Sequence, residues 1–268
     1  AFSKALEPLG AAILQAKRVV WVQNDYTIIP PKHESDAESP FRKAFVLRKE
    51  QGKELTRYWT TCEDWAALTP GSQYVNWNAL TFDPDCDEST IKRRRKKATD
   101  DLFYYGSYRA ASGKSSRVKY FDRYFLSPRV PVTISSPAKQ FAERYPKARV
   151  EDKIEGDNFY ETIASHGAGL YIEDRMSHER FHSPANRFYE MLSAGLPIIF
   201  QPECGTMLRR AGYDPSPFAA STALEVQRAL EKREKFGREQ REAWGSKALA
   251  ERKDLSSTVK KLWKEIAR

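Results

Sequence analysis

Residues 183–200 read SPANRFYEMLSAGLPIIF, and this stretch decides the fold. Ser183 is a good N-cap, and Pro184 takes the first helical position, where a missing N–H costs nothing. Phe188, Met191, Leu192 and Gly195 then fall at i, i+3, i+4 and i+7, an apolar helical stripe. Gly195 suits a left-handed C-cap, and Pro197 bars continuation. The run from Pro197 to Phe200 fits a buried parallel strand. On the other face Asn186, Glu190 and Ser193 line up, with Arg187 beside them. The helix is either an ordinary surface helix or one whose carboxylate and guanidinium hold a polar ligand.

The 268 residues suffice for one large or two medium domains with real cores. With 40% hydrophobic and 12% aromatic residues the chain belongs to the globular class and not the disordered one. No run of about 18 apolar residues exists, so no membrane partner is expected. The chain opens AFSKALEPLG, without a Met or a signal peptide, and reads as trimmed, an N-terminal strand being absent. Cys62, Cys86 and Cys204 are odd in number and far apart, which suits a reducing cytoplasm and gives no zinc or disulfide framework. A net charge of +9 favours a polyanionic partner such as DNA or RNA, a balance many unrelated proteins share.

Outward from the opening stretch, the chain alternates. Helices are expected over 5–16 and 62–68, and strands over 18–23, 44–47, 55–60 and 74–77. The acidic loop from Asp83 to Glu88 and the run Lys92-Arg93-Arg94-Arg95-Lys96-Lys97 mark the domain boundary; six adjacent cations either bind phosphates or form a solvated face. From Asp101 strands at 102–105, 132–134, 148–150 and 170–172 alternate with helices at 118–125, 138–145 and 158–165, which implies a parallel, doubly wound sheet. Helices over 204–211, 222–244 and 247–267 close the chain. The domains expected are residues 1–98, 99–245 and a C-terminal helix over 246–268 that returns to the first.

Two motif spellings fail on context. His178-Glu-Arg-Phe-His182 spells H-E-x-x-H, but zinc needs both histidines on one helix, and here the helix is expected to start only at Ser183. Gly113-Lys114-Ser115 lacks the P-loop glycine five residues earlier, where Tyr108 stands. What survives is a strand followed by Gly106-Ser107-Tyr108-Arg109 and then Lys114. A glycine at a strand's carboxyl end brings backbone N–H groups near a phosphate, and Arg109 and Lys114 can neutralise a diphosphate. The same residues also suit a plain loop with solvated cations.

YYGSYR followed by HSPANRFYEMLSAGLPIIF resembles the donor half of a GT-B glycosyltransferase over about residues 100–215. The resemblance implies an α/β fold of two Rossmann-like domains facing a cleft, which binds a nucleotide diphosphate sugar. In the family's pattern of Glu, seven residues, Glu and an A-x-G-x-P turn, Glu190 matches the second Glu, which holds the ribose hydroxyls. His182 stands where the first Glu belongs, and Arg109 and Lys114 match the family's diphosphate-binding cations. VVWVQNDYTIIPP, YVNWNALTF and LFYYGSYR are in turn similar to phage-type enzymes that glycosylate hydroxymethylated pyrimidines in DNA.

The resemblance implies transfer of a sugar from a UDP-sugar to a hydroxyl, with no bound cofactor and no metal. Donor-binding residues are then Gly106, Ser107, Arg109, Lys114, His182, Arg187 and Glu190. Asp25, at the carboxyl end of the strand over 18–23, would receive the acceptor's proton, or else serve only as a turn residue. DNA is the expected partner, contacted by Lys92 through Lys97, in the cytoplasm, that of a host if the chain is phage-encoded. A small-molecule or envelope acceptor stays open, as does a GT-B-shaped nucleic-acid-binding protein without catalysis.

Overall fold

The structure is a computed structural model that describes residues 12, 15–16, 19–23, 50–52, 57–60, 66, 72–109 and 116–266. Its contacts divide the chain into a first unit, residues 1–77 with 259–268, and a second, residues 78–258. In the first unit β1 (Val20–Gln23), β2 (Arg57–Thr60) and β3 (Ser72–Tyr74) pair in parallel in that order. Trp59 is buried there, its ring 5.1 Å from that of Trp77. The expected strand over 74–77 ends at Tyr74, and a 3-10 turn runs from Trp77 to Thr81. The strand expected over 44–47 lies outside the described residues, as do most of the helices expected over 5–16 and 62–68.

The second unit holds a parallel sheet in the order β6-β5-β4-β7-β8, from β4 (Leu102–Tyr105), β5 (Val132–Ser135), β6 (Arg149–Glu151), β7 (Ala168–Tyr171) and β8 (Ile198–Phe200). Its helices are α1 (Glu88–Arg94), α2 (Val118–Phe125), α3 (Gln140–Arg144), α4 (Phe159–Ala164), α5 (Arg175–Arg180), α6 (Asn186–Ala194), α7 (Gly205–Arg210), α8 (Ala223–Glu231) and α9 (Arg233–Ile266), the last of which ends in residues counted with the first unit. Both sheet faces are covered, so β4, β5, β7 and β8 are almost wholly buried, while the edge strand β6 is polar and partly exposed. Phe103, Tyr171, Ile198 and Phe200 enter one core with Phe188 and Trp244. Leu102, Tyr104, Leu170 and Ile199 enter the other with Phe121, Phe125 and Phe141. This is the α/β doubly wound class that the alternation implies. No helix among the described residues is long and apolar enough to cross a membrane.

Some boundaries differ from expectation, each for a tertiary reason. The opening helix starts at Asn186, capped by Ala185 without a side-chain bond, and not at Ser183. Its approach is pinned instead by neighbours: Asn78 Nδ2 donates to Pro184 O at 2.7 Å, and Ala185 N donates to Tyr171 Oη at 2.8 Å. At the other end Gly195 takes the left-handed cap, with φ +76°. His178 sits inside α5, capped by Asp174, so only His182 lies off a helix. The segment 88–97 packs with the second unit, where Ile91 sits against Gly195 and Arg95 donates to the carbonyls of Ala164, His166 and Gly167.

The long terminal helices break at Lys232 and not near Gly245. Gly237 lies inside α9 facing Pro197, which a Cβ would approach to 3.1 Å, so the glycine serves close packing and not a break. One turn on, Gln240 is buried and clamps the edge strand β8. Its Oε1 accepts from Ile198 N at 2.8 Å, and its Nε2 donates to Ile198 O at 2.6 Å. This side chain caps the edge at Ile198, and the backbone of Ala220 covers it at Phe200, donating to Phe200 O at 3.0 Å. Gln240→Leu keeps the volume and leaves both backbone groups buried and unpaired. It should lower unfolding free energy by about 2–4 kcal/mol in urea denaturation; a loss below about 0.5 kcal/mol would show that the clamp adds nothing.

Candidate functional site

The strand order reverses between β4 and β7, since β4 leads to β5 on one side and β7 to β8 on the other. Ligands of such sheets bind outside the carboxyl ends at this reversal. Two segments leave there. β4 runs into Gly106, whose φ of +140° few residues but glycine adopt. A Cβ at Gly106 would also stand 3.1 Å from both Arg187 Nη1 and Tyr104 Oη. β7 runs through Ile172 into Glu173 and Asp174, both buried.

These carboxylates meet three arginines. Glu173 pairs with Arg117, and its Oε1 lies 3.1 Å from Arg187 Nη2. Asp174 Oδ2 accepts from Arg109 Nη1 at 3.2 Å and lies 3.6 Å from Arg117 Nη2. Burial alone would lower the Arg187 pKa, but Glu173 and then the Tyr104 hydroxyl outweigh it and drive it well up. Arg187 donates to Tyr104 Oη at 3.1 Å and lies over that ring, 5.4 Å from its centroid. Three guanidiniums against two carboxylates leave one positive charge over. Arg109 carries it outward: its side chain is 44% exposed, against 4% for Arg117 and 12% for Arg187.

Beside this network lies a cavity of about 370 Å³, within the range of small-ligand sites. Tyr105, Gly106 and Ser107 form one side of it, and Ser135, Pro137, Lys153, Ile154 and Phe159 the other. Ser135 sets that other side, because its Oγ donates to Asp152 O at 2.8 Å and accepts from Ile154 N at 3.0 Å. Glu190 also lines the cavity, and its Oε2 accepts from Tyr105 Oη at 2.7 Å. Burial raises the Glu190 pKa, partly offset by the Tyr105 hydrogen bond and by Arg187. The arrangement offers apolar walls for a flat ring, a carboxylate for hydroxyl donors, and a cation with backbone N–H groups for an anion.

Of the expected donor residues, Gly106, Ser107 and Glu190 line the cavity, and Arg109 and Arg187 stand in the adjoining network. His182 is half-buried between α5 and α6, outside the cavity lining. Asp25 and Lys114 lie outside the described residues. His178 is buried with its Nε2 3.3 Å from Cys204 Sγ, and burial lowers its pKa, so it is neutral. Among the described residues no cluster of three or more His, Cys, Asp or Glu side chains could hold a metal.

The basic run is partly internal. Arg94 pairs with Asp83 at 2.8 Å and Glu161 at 3.1 Å, and Arg95 pairs with Glu234 at 3.0 Å. Lys92, Arg93, Lys96 and Lys97 are exposed, but they precede β4 and so lie at the amino edge of the sheet, opposite the cavity. The sequence reading missed Arg117, Glu173, Asp174 and Tyr105. The available signal was a pair of acids directly after the apolar run Ala168–Ile172, at the carboxyl end of a strand.

Glu173→Gln removes the charge that holds Arg117 and Arg187 in the interior. A loss of about 3 kcal/mol of stability is expected from denaturant titration, and an unchanged midpoint would refute this role for Glu173.

No protein-family model and no curated protein sequence matches the chain. Solved structures match it in fold. One is T4 phage β-glucosyltransferase, studied for substrate binding, with 16% identity over 96% of this chain and 78% of that one and a TM-score of 0.61. T4 phage β-glucosyltransferase with UDP and Mn2+ gives 15% identity, 98% and 77% coverage and a TM-score of 0.63. An α-glucosyltransferase with UDP-glucose and DNA containing an abasic site gives 14%, 98%, 76% and 0.57. These neighbours are GT-B glycosyltransferases, and the fold of the chain is theirs.

Proposed function

We propose that this protein transfers a sugar from a UDP-sugar to a hydroxyl, the acceptor being a hydroxymethylated pyrimidine in DNA. The observation that carries the reading is the convergence of Glu190, the Gly106 turn and the surplus cation Arg109 on one edge of the second unit. Pro137, Ile154 and Phe159 suit the flat faces of a nucleobase, and Glu190 suits the ribose hydroxyls. The backbone after Gly106 and the outward guanidinium of Arg109 suit the diphosphate, and we assign Lys114, five residues after Arg109 in sequence, to the same role.

In the reaction the bond from the anomeric carbon to the diphosphate breaks, its electron pair leaving with UDP. The acceptor oxygen bonds to that carbon, and its proton passes to a base, the role we assign to Asp25. Charge grows on the diphosphate as the bond breaks, and a fixed guanidinium in a partly dehydrated site stabilises it at no cost in reorganisation. Because that charge is met by side chains, we propose that transfer needs no resident metal. Turnover unchanged by excess EDTA is the expected outcome; loss of turnover restored by Mn2+ would refute it.

The DNA acceptor is favoured by the net charge of +9; a base would have to leave its stack to reach such a cavity. The exposed Lys92, Arg93, Lys96 and Lys97 add phosphate contacts away from the cavity edge. The test is UDP release on mixing the protein with UDP-glucose and hydroxymethylated DNA. Release with hydroxymethylated but not plain DNA is expected. No release with any donor, alongside salt-dependent DNA binding, would leave a binding protein without catalysis, and release only with small hydroxyl compounds would move the acceptor.

Glu190→Ala should weaken UDP binding about tenfold or more. The wild type carries a matching pH signature. Burial places the Glu190 pKa above the ordinary value of a glutamate, and the hydroxyls bind the ionised form. Affinity is therefore full above the raised pKa and falls as pH drops through it, a slope that Glu190→Ala should abolish in calorimetric titrations.

A further inference from the structure

Glu190 does not stand alone in the cavity. Tyr105 Oη donates to its Oε2 at 2.7 Å and reaches the Arg187 carbonyl at 3.4 Å. The Tyr105 ring is locked, stacked on Phe103 at 5.6 Å and edge-on to Phe159 at 5.9 Å. Burial, then the Glu190 carboxylate, pushes the phenol pKa well up, so the hydroxyl keeps its proton and can serve as a donor to the carboxylate.

The other charged and titratable groups around Glu190 are committed elsewhere. Arg187, on its own helix, pairs with Glu173. Tyr160, from α4, donates to Thr81 O at 2.7 Å. Lys153, across the cavity, pairs with Glu155 at 2.8 Å. Among the described residues Tyr105 is thus the hydrogen-bond partner of the Glu190 carboxylate.

We propose that Tyr105 is a positioning residue: its hydroxyl fixes Glu190 as an ionised acceptor, so that the cavity takes nucleotides with a 2′,3′-diol and rejects those without one. The inference rests on the reading of this cavity as the donor nucleotide's site. The chemistry is one of donor and acceptor counts. A diol presents two O–H groups, and an ionised carboxylate only accepts. With one lone pair of Oε2 taken by Tyr105, the carboxylate cannot rotate freely, and Oε1 and the rest of Oε2 remain for the two hydroxyls. A protonated Glu190 would lose one of those acceptor places. A dideoxynucleotide would leave the acceptor places that Tyr105 does not hold dehydrated and unfilled, which is the usual source of strong discrimination.

Tyr105→Phe removes one oxygen and keeps both ring contacts. Binding of UDP and of 2′,3′-dideoxy-UDP would be measured by calorimetry for both proteins at about pH 6 and about pH 8, since losing a hydrogen bond to the charged form raises an acid's pKa. The variant should bind UDP about tenfold more weakly, more so at the lower pH, and bind the dideoxy ligand as the wild type does. Equal weakening for both ligands would overturn the inference, because it would report a changed cavity shape. So would unchanged UDP binding. A second readout needs no ligand: the Glu190 carboxyl carbon, followed by NMR, should titrate at higher pH in Tyr105→Phe, and an unshifted titration overturns the inference. A wild type that binds neither nucleotide while this shift is present would refute the donor-site reading and leave the Tyr105–Glu190 coupling standing.

Discussion

Glu173 is a buried carboxylate between two guanidiniums, and much of the second unit is arranged to keep it there. Dehydrating each of these charges costs several kcal/mol, an amount recovered only where every partner is in place. The partners come from distant parts of the chain, Arg117 just before α2 and Arg187 in the first turn of α6, while the adjacent Asp174, the cap of α5, shares Arg117. Holding Arg187 fixes the first turn of α6. Glu190 follows three residues later on the same face of that helix, and Tyr105 receives it. The position of the cavity carboxylate is thus set by an ion pair that never touches the cavity. The same geometry accounts for Gly106, since a side chain there would displace the Arg187 guanidinium.

Most of the second unit's fold was legible in sequence because four of its five strands are short, buried runs and its helices carry an apolar face. The strand over 102–105 and the helix over 118–125 fall where the alternation puts them. The start of α6 was not legible. Ser183 and Pro184 carry the local signature of a helix start, but bonds from Asn78 and Tyr171 hold the approach extended and move the start to Asn186. No window of local sequence contains those partners. The uninterrupted α9 has the same origin: Gly237 and Gly245 look like breaks, yet the clamp from Gln240 to Ile198 keeps that helix against the sheet edge.

The candidate site was legible in part, and the boundary is chemical. Glu190, Arg187 and the Gly106 turn were found because a helix face and a strand end are local patterns. Arg117 and Glu173 were not, because nothing in sequence distinguishes a buried, paired charge from a solvated one. The run from Lys92 to Lys97 shows the converse: six adjacent cations look alike, yet Arg94 and Arg95 bind the fold's own carboxylates and carbonyls while their neighbours face water. A charge count sums these two populations, so it overstates the surface open to a polyanion.

Separating a structural ion network from a binding carboxylate also resolves a conflict within one helix turn. Arg187 and Glu190 are opposite charges three residues apart, and paired with each other they would cancel and offer a ligand little. Glu173 prevents this by engaging Arg187 from below, and Tyr105 engages Glu190 from the side. The carboxylate that remains is held by a neutral donor, which orients it without neutralising it. Arg109, shared with Asp174 but largely exposed, keeps the surplus positive charge at the mouth of the network. A ligand with hydroxyls at one end and a diphosphate at the other meets each kind of charge where it is free to act, and the two tyrosines at the end of β4 keep the two kinds apart.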